Sequence, residues 1–369
     1  MRKINNLILT VFLLTFTVFS ANAQTPKVKP LQKGKIWSVE KANNWYNHHS
    51  WIIGANFIPS TAINQLEMWQ AETFDPKTID RELGYAEGIG FNTMRVFLHS
   101  VAYGVDPKGF KSRVNQYLAI ADKHHIQTIL VFFDDCWNPN PKPGKQPLPK
   151  TGIHNSGWMQ DPGVREVKDP KQFNILEGYF KDVMGTFAHD KRILLWDLYN
   201  EPGNETKRDT SLALLTKVFT WARQVNPDQP VSAGLWAWDF EKLNAFQALN
   251  SDIITYHDYE EEKAHQRVLQ LLKTHGKPLI CTEYMARSRN STFSTILPLL
   301  KRENVGALNW GLVAGKTNTI YAWDTPMPQG GEPKVWFHDI FHKDGTPYKP
   351  EETEFIEKIV KQPKKETLK

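Results

Sequence analysis

Past residue 50 the chain alternates short, continuously apolar runs with longer stretches whose apolar positions recur every three or four residues. The short runs are rich in β-branched and aromatic residues. They predict strands at Trp51–Phe57, Asn92–Leu98, Thr128–Asp134, Ile193–Tyr199, Pro230–Leu235, Asp252–His257, Leu279–Glu283 and Ala307–Trp310. The longer stretches predict helices at Lys111–His125, Gln172–Phe187, Ser211–Val225, Glu261–His275 and Thr292–Arg302. In Gln172–Phe187, residues Phe173, Ile175, Leu176, Tyr179, Phe180 and Val183 are read as one apolar face. Strands that are apolar along their whole length bury both faces, which points to a parallel sheet between helices. Eight strand-then-helix units predict a single-domain α/β fold, a (β/α)8 TIM barrel over residues 51–360. An open doubly wound sheet would carry a glycine-rich first turn, and Gly54-Ala55-Asn56-Phe57 supplies none.

The two ends read differently. Arg2 and Lys3 precede an apolar stretch from Leu7 to Phe19, and Ala21-Asn22-Ala23 follows before Gln24. This is the pattern of a cleavable signal peptide at residues 1–23, and it predicts a periplasmic or secreted protein. The stretch is short for a bilayer core of about 30 Å, so no membrane association is expected after cleavage. No cysteine follows the cleavage site, so no lipid anchor is expected there either. Residues 24–50 read as a linker with a short helix near Val39–His48 that covers the barrel's bottom, and residues 361–369 as a solvated basic tail.

Composition narrows the function classes. Cleavage removes Arg2 and Lys3, leaving 43 basic against 40 acidic residues, so the formal charge falls from +5 to +3. That balance argues against a nucleic-acid partner. Cys136 and Cys281, the only cysteines, lie at or near the ends of different strands and are expected as free thiols. No cluster has zinc-ligand spacing. No metal or cofactor is expected, and the chain is read as a monomer. Thirteen tryptophans serve either as core or as flat faces for a flat ligand.

The candidate chemistry sits in two strings, Leu195-Trp196-Asp197-Leu198-Tyr199-Asn200-Glu201-Pro202 and Pro278-Leu279-Ile280-Cys281-Thr282-Glu283-Tyr284. Each is an apolar run ending on a glutamate. On a barrel, catalytic groups belong at the C-terminal strand ends. Two carboxylates placed there can cleave a glycosidic bond. Pro202 is expected to hold Glu201 extended. Arg95 on the second strand needs an anionic partner, because an unpaired buried charge is very costly. His257 and Tyr259 are two residues apart and share a face. Trp310 closes the eighth strand. Two connections, Asn138 to about Lys171 and Leu312 to about Ile340, are long enough to be functional.

Together these residues resemble clan A of the glycoside hydrolases and, within it, the cellulase-like family 5, over about residues 50–345. The resemblance implies that Glu201, in Asn200-Glu201-Pro202, is the acid/base and that Glu283 is the nucleophile of a retaining β-glycosidase. Arg95, Asn200, His257, Tyr259 and Trp310 are implied as supporting groups. Arg95 and Tyr259 would keep Glu283 ionised, and burial beside a like charge would raise Glu201. Asn200 would bond the sugar 2-hydroxyl, Trp310 would floor the ring, and His257 would orient Glu201 or Tyr259. The chain departs from the family at the end of strand three, where a histidine is usual. Here it reads Phe133-Asp134-Asp135-Cys136-Trp137. Asp134 or Asp135 either bonds a sugar hydroxyl there or caps the following loop. Asn56, His99, Trp137, Trp158, Trp236 and Trp323 are candidate subsite residues. The substrate expected is a polysaccharide or oligosaccharide of β-glucan, xylan or mannan type. Rival readings are a non-catalytic glycan-binding barrel, a transglycosylase using the same residues, and a metal-dependent hydrolase built on Asp134, Asp135 and His257. Internal or chain-end attack depends on how the long loops fold.

Overall fold

The computed structural model describes residues 30–31, 35–164 and 169–363. The signal read at 1–23, most of the linker and residues 364–369 of the tail lie outside the described residues. Eight parallel strands form one sheet: β1 (Ile53–Asn56), β2 (Thr93–Phe97), β3 (Gln127–Asp134), β4 (Ile193–Asn200), β5 (Val231–Ser232), β6 (Ile254–His257), β7 (Leu279–Glu283) and β8 (Gly306–Asn309). They are bonded in the order β5-β4-β3-β2-β1-β8-β7-β6. The ring closes where Leu235, just past β5, bridges to Tyr256 of β6. There the Leu235 amide donates to Thr255 O at 3.0 Å, and its carbonyl accepts from His257 at 2.8 Å. This is the predicted (β/α)8 barrel. Every residue of β1, β2, β4, β6, β7 and β8 is buried, as continuous apolar runs require.

Two local expectations are corrected. Pro230–Leu235 is not one continuous strand: the ladder holds at Val231–Ser232, the Gln247 side-chain amide takes the carbonyls of Ala233 and Gly234, and pairing resumes at the single Leu235 bridge. Ile175 is 71% exposed, since it falls off the face that Phe173, Leu176, Tyr179, Phe180 and Val183 bury. The five predicted helices occur as Pro107–Lys123, Phe173–Phe187, Leu212–Val225, Glu262–Lys273 and Phe293–Arg302. The first starts earlier than its periodicity suggests. Asp106 caps it by accepting from the Gly109 amide, and Pro107 fits the first turn, where no donor is needed. Among the described residues no helix is long and apolar enough to cross a membrane.

The bottom of the barrel is closed by α1 (Val39–Asn47), started by Ser38 Oγ accepting from the Lys41 amide at 3.1 Å. Its Ala42 and Tyr46 pack with Ile52, Ile129, Leu194, Ile253 and Ile280, at or near the N-terminal strand ends, and with Leu308 of β8. At the opposite end a second cluster gathers Phe97, Val131, Cys136, Trp158 and Trp310. β1 crosses β2 so closely that a Cβ on Gly54 would lie 1.6 Å from the Thr93 carbonyl oxygen. Only glycine fits there. The sealed bottom leaves the C-terminal strand ends as the barrel's accessible mouth.

Candidate active site

Arg95 organises the mouth. Its side chain is fully buried, and its guanidinium makes four side-chain hydrogen bonds. Nε donates to Asp197 Oδ2 at 2.9 Å, and Nη2 approaches the same oxygen at 2.8 Å. Nη1 donates to Asn56 Oδ1 at 2.9 Å and to Glu283 Oε1 at 2.8 Å, while Nη2 reaches Asn200 Oδ1 at 2.7 Å. One guanidinium thus ties β1, β2, β4 and β7 together. It faces two carboxylates, so the cluster is left with a net negative charge. The strand pattern called for an anionic partner, and there are two. Asp197 was not singled out from the sequence, although an aspartate inside an otherwise apolar strand needs a buried cation as much as Arg95 needs an anion.

Glu283 ends β7 and is almost fully buried. Besides Arg95 it accepts from the Tyr259 hydroxyl at 2.8 Å on Oε2, with His257 Nδ1 at 3.5 Å from that oxygen. Burial pushes its pKa up, and His257, Arg95 and Tyr259 pull it back. Arg95 and Tyr259 act in the expected direction, and burial works against them. Glu201 lies just past β4 with its side chain 14% exposed. Oε1 is 2.8 Å from His257 Nδ1, and Oε2 accepts from Asn204 Nδ2 at 2.6 Å and Cys136 Sγ at 3.2 Å. Burial raises its pKa against the bonds from Cys136 and Asn204. The extended conformation expected before Pro202 is corrected. Glu201 has φ 44°, in the left-handed region, which costs about 1–3 kcal/mol in a non-glycine residue and is found where surrounding contacts hold it. Those contacts are the three bonds to its carboxylate.

His257 is buried, and burial pushes its pKa down to about 4, so the ring is neutral near pH 7. It sits between the carboxylates. Oxygens of Glu201 and Glu283 and a ring nitrogen of His257 all lie within 4.8 Å of one another. This is the one group among the described residues whose donor atoms are close enough to share an ion. Its oxygens are already engaged by the guanidinium, hydroxyl, amide and thiol donors named above. The trio Asp134, Asp135 and His257 of the metal-hydrolase reading is not assembled. Asp134 accepts from the Cys136 amide at 2.9 Å, Trp158 Nε1 at 2.7 Å and Asn200 Nδ2 at 2.9 Å. Asp135 accepts from the Tyr199 hydroxyl, the Gly203 amide, Ser211 Oγ and Lys207, under the loop after β4. Asp135 thus supports the loop after β4 and not the loop after β3, whereas Asp134, through the Cys136 amide, is the one that caps the loop after β3.

An open cavity of about 970 Å³, continuous with solvent, holds both glutamates. Trp137, Trp158, Trp236, Tyr259, Trp310 and Trp323 line it together with Asn200. Seven of the predicted positions therefore converge around Glu201 and Glu283. Asn56 lies behind them as an Arg95 partner, its own amide donating to Thr282 O and Asn309 O. His99 is corrected: it is fully buried, caps the short helix Ser100–Val105 through Nδ1, and does not line the cavity. Asn200 spends one amide N–H on Asp134, and its amide nitrogen also lies 3.4 Å from Cys136 Sγ. Cys136, His154, Asn155, Asn204 and Glu205 line the cavity without having been chosen from the sequence as site residues. Cys136 and Cys281 are both free and buried.

Comparison with known proteins gives a consistent picture. The family profile described as cellulase (glycosyl hydrolase family 5) matches residues 59–315. No curated protein matches the chain. Among solved structures, a GH5_18 protein from Streptomyces cattleya in complex with GlcNAc superposes with a TM-score of 0.58 at 12% identity, covering 86% of this chain and 82% of that one. The endo-β-1,4-mannanase of Thermotoga petrophila gives 0.57 at 16% identity, covering 88% and 79%. The β-1,4-mannanase of the sea hare Aplysia kurodai gives 0.52 at 14%, covering 71% and 88%. At such identities the likeness is one of fold.

Proposed function

We propose, given that the chain belongs to glycosyl hydrolase family 5 and is a glycoside hydrolase acting on O-glycosyl bonds, that it cleaves β-glycosidic bonds with retention, using Glu283 as nucleophile and Glu201 as acid/base. The observation that carries this is the spacing of the two carboxylates, with oxygens less than 5 Å apart around one imidazole nitrogen. Retaining enzymes hold their carboxyl groups about 5–5.5 Å apart, too close for an intervening water.

The chemistry follows from the contacts. Glu283, ion-paired with Arg95 and bonded to Tyr259, attacks the anomeric carbon as a carboxylate. Glu201 gives its proton to the leaving oxygen as the old C–O bond breaks. The glycosyl ester so formed removes one negative charge from the cluster, which lowers the proton affinity of Glu201 and converts it to a base. It then takes a proton from the water that attacks the ester, and Glu283 leaves as a carboxylate. Neutral His257 holds Glu201 Oε1 throughout, and Trp310 offers an apolar face to the ring. The export signal read from the sequence at residues 1–23 supports a site of action outside the cytoplasm.

A panel of β-1,4-linked mannose, glucose and xylose oligosaccharides tests the reading. Mannosides come first because two of the structural neighbours are described as mannanases. Glu283→Gln should abolish turnover, and Glu201→Gln should slow it by about 10²–10⁴-fold. Undiminished turnover by Glu283→Gln, or no cleavage across the panel, would overturn the assignment.

A further inference from the structure

Two cavities lie at the mouth and share only Trp158 and Trp310. One holds the carboxylates. The other lies over the ends of β1, β2 and β8, against Asn56, Phe57 and Phe97. The two indoles, 5.5 Å apart at 68°, form the partition between them, each set edge-on to Phe97 at 5.1 and 5.8 Å. Trp158 comes from the long loop after β3 and is 2% exposed. Its Nε1 donates to buried Asp134 at 2.7 Å, and its carbonyl accepts from Asn138 Nδ2 at 2.7 Å.

The partition is braced from behind by the loops after β1 and β8. Asn64 Nδ2 donates to the Gly157 carbonyl at 2.8 Å, and the Asn155 amide donates to Thr317 O at 2.8 Å. A Cβ on Gly157 would sit 2.4 Å from Ile63, so the first loop touches the third with no room between them. Three loops thus lock one indole in place.

Direction follows from strand order. The partition spans β8, β1 and β2, and the barrel order puts β4 and β5 opposite. Glu201 enters from β4, with Asn204, Glu205 and the half-buried Trp236 beyond it. An acid must face the oxygen it protonates, so the leaving group extends over Glu201 toward Trp236. The sugar being cleaved off then points at the partition. From this geometry we infer that the enzyme acts at chain ends, accepting one sugar on the partition side and releasing it as a monosaccharide from the non-reducing end. This rests on the roles proposed for Glu201 and Glu283.

The test uses a pentaose that the panel shows to be cleaved, labelled at its reducing end, beside the same pentaose with its terminal 4- or 4,6-hydroxyls blocked. The expected labelled products shorten one sugar at a time, with free monosaccharide as the unlabelled product. The blocked pentaose should be cleaved slower by about 100-fold or more, the penalty for displacing a reacting centre by roughly 1 Å. Trp158→Ala should add disaccharide to the products by joining the two cavities. Unlabelled di- or trisaccharide as the first wild-type product, or equal rates on blocked and free pentaose, would overturn chain-end action while leaving retaining hydrolysis intact. The wild-type arms decide the question even where the variant is poorly folded. Cleavage of no panel member overturns both readings.

Discussion

Replacing Arg95 by methionine removes the one cation that four strands share. Met keeps most of the aliphatic stem and deletes all five donors, leaving Asp197 fully buried and Glu283 nearly so, both without their counter-ion. Removing one partner of a buried ion pair costs about 3–5 kcal/mol, because the remaining charge stays out of water. Here two carboxylates are orphaned at once, so the upper part of that range is expected. A second effect lands on activity. Without the guanidinium, Glu283 loses one of the groups that hold its pKa down. The acid limb of kcat/KM, which reports ionisation of the nucleophile in free enzyme, should therefore move to higher pH. Chemical denaturation gives the first quantity and a pH–rate series the second. A double-mutant cycle with Asp197→Asn sharpens both, since neutralising Asp197 should restore part of the stability lost in Arg95→Met. A loss under about 1 kcal/mol, or strictly additive effects in the cycle, would refute the view that Arg95 is a buried charge hub.

Glu201→Gln should be more stable than the wild type at pH 7. The folded pKa of Glu201 lies above its unfolded value of about 4.3, so wild-type stability is fully present below that pH and is lost as pH rises through the folded pKa. Thermal melts of the two proteins should therefore converge near pH 4, and a gap that grows on acidification would contradict the sign. Cys136→Ala removes a donor that stabilises the Glu201 anion. Its pKa should climb further and the basic limb of kcat/KM should shift upward, and a downward shift would be inconsistent with a thiol donor. Gly54→Ala drives a Cβ onto the Thr93 carbonyl and should cost about 3 kcal/mol or more, read as lost soluble yield or a lower denaturation midpoint.

The barrel was legible because parallel strands buried on both faces leave a plain signature, a continuous apolar run, and all eight runs correspond to strands. β5 was overextended because a side chain of the next helix, Gln247, captures the carbonyls of Ala233 and Gly234 just past it, and no local pattern reports that. Glu201 and Glu283 could be placed because each ends such a run. The backbone of Glu201 could not be read. Its left-handed φ runs against the local preference before Pro202 and is held by His257, Asn204 and Cys136, two of which are far away in sequence. His99 misled because a histidine at a strand end suits a helix cap as well as a ligand. The loop tryptophans could be named as candidates, but which of them closes the cavity could not. Trp158 owes its position to contacts from three separate loops.

The stereochemistry of the first product tests the central claim most directly. With a β-linked substrate from the panel, proton NMR recorded before mutarotation reads the anomer released. Double displacement through Glu283 predicts the β-anomer as the initial product. Initial release of the α-anomer would mean that water attacks directly, and would contradict the assignment of Glu283 as nucleophile.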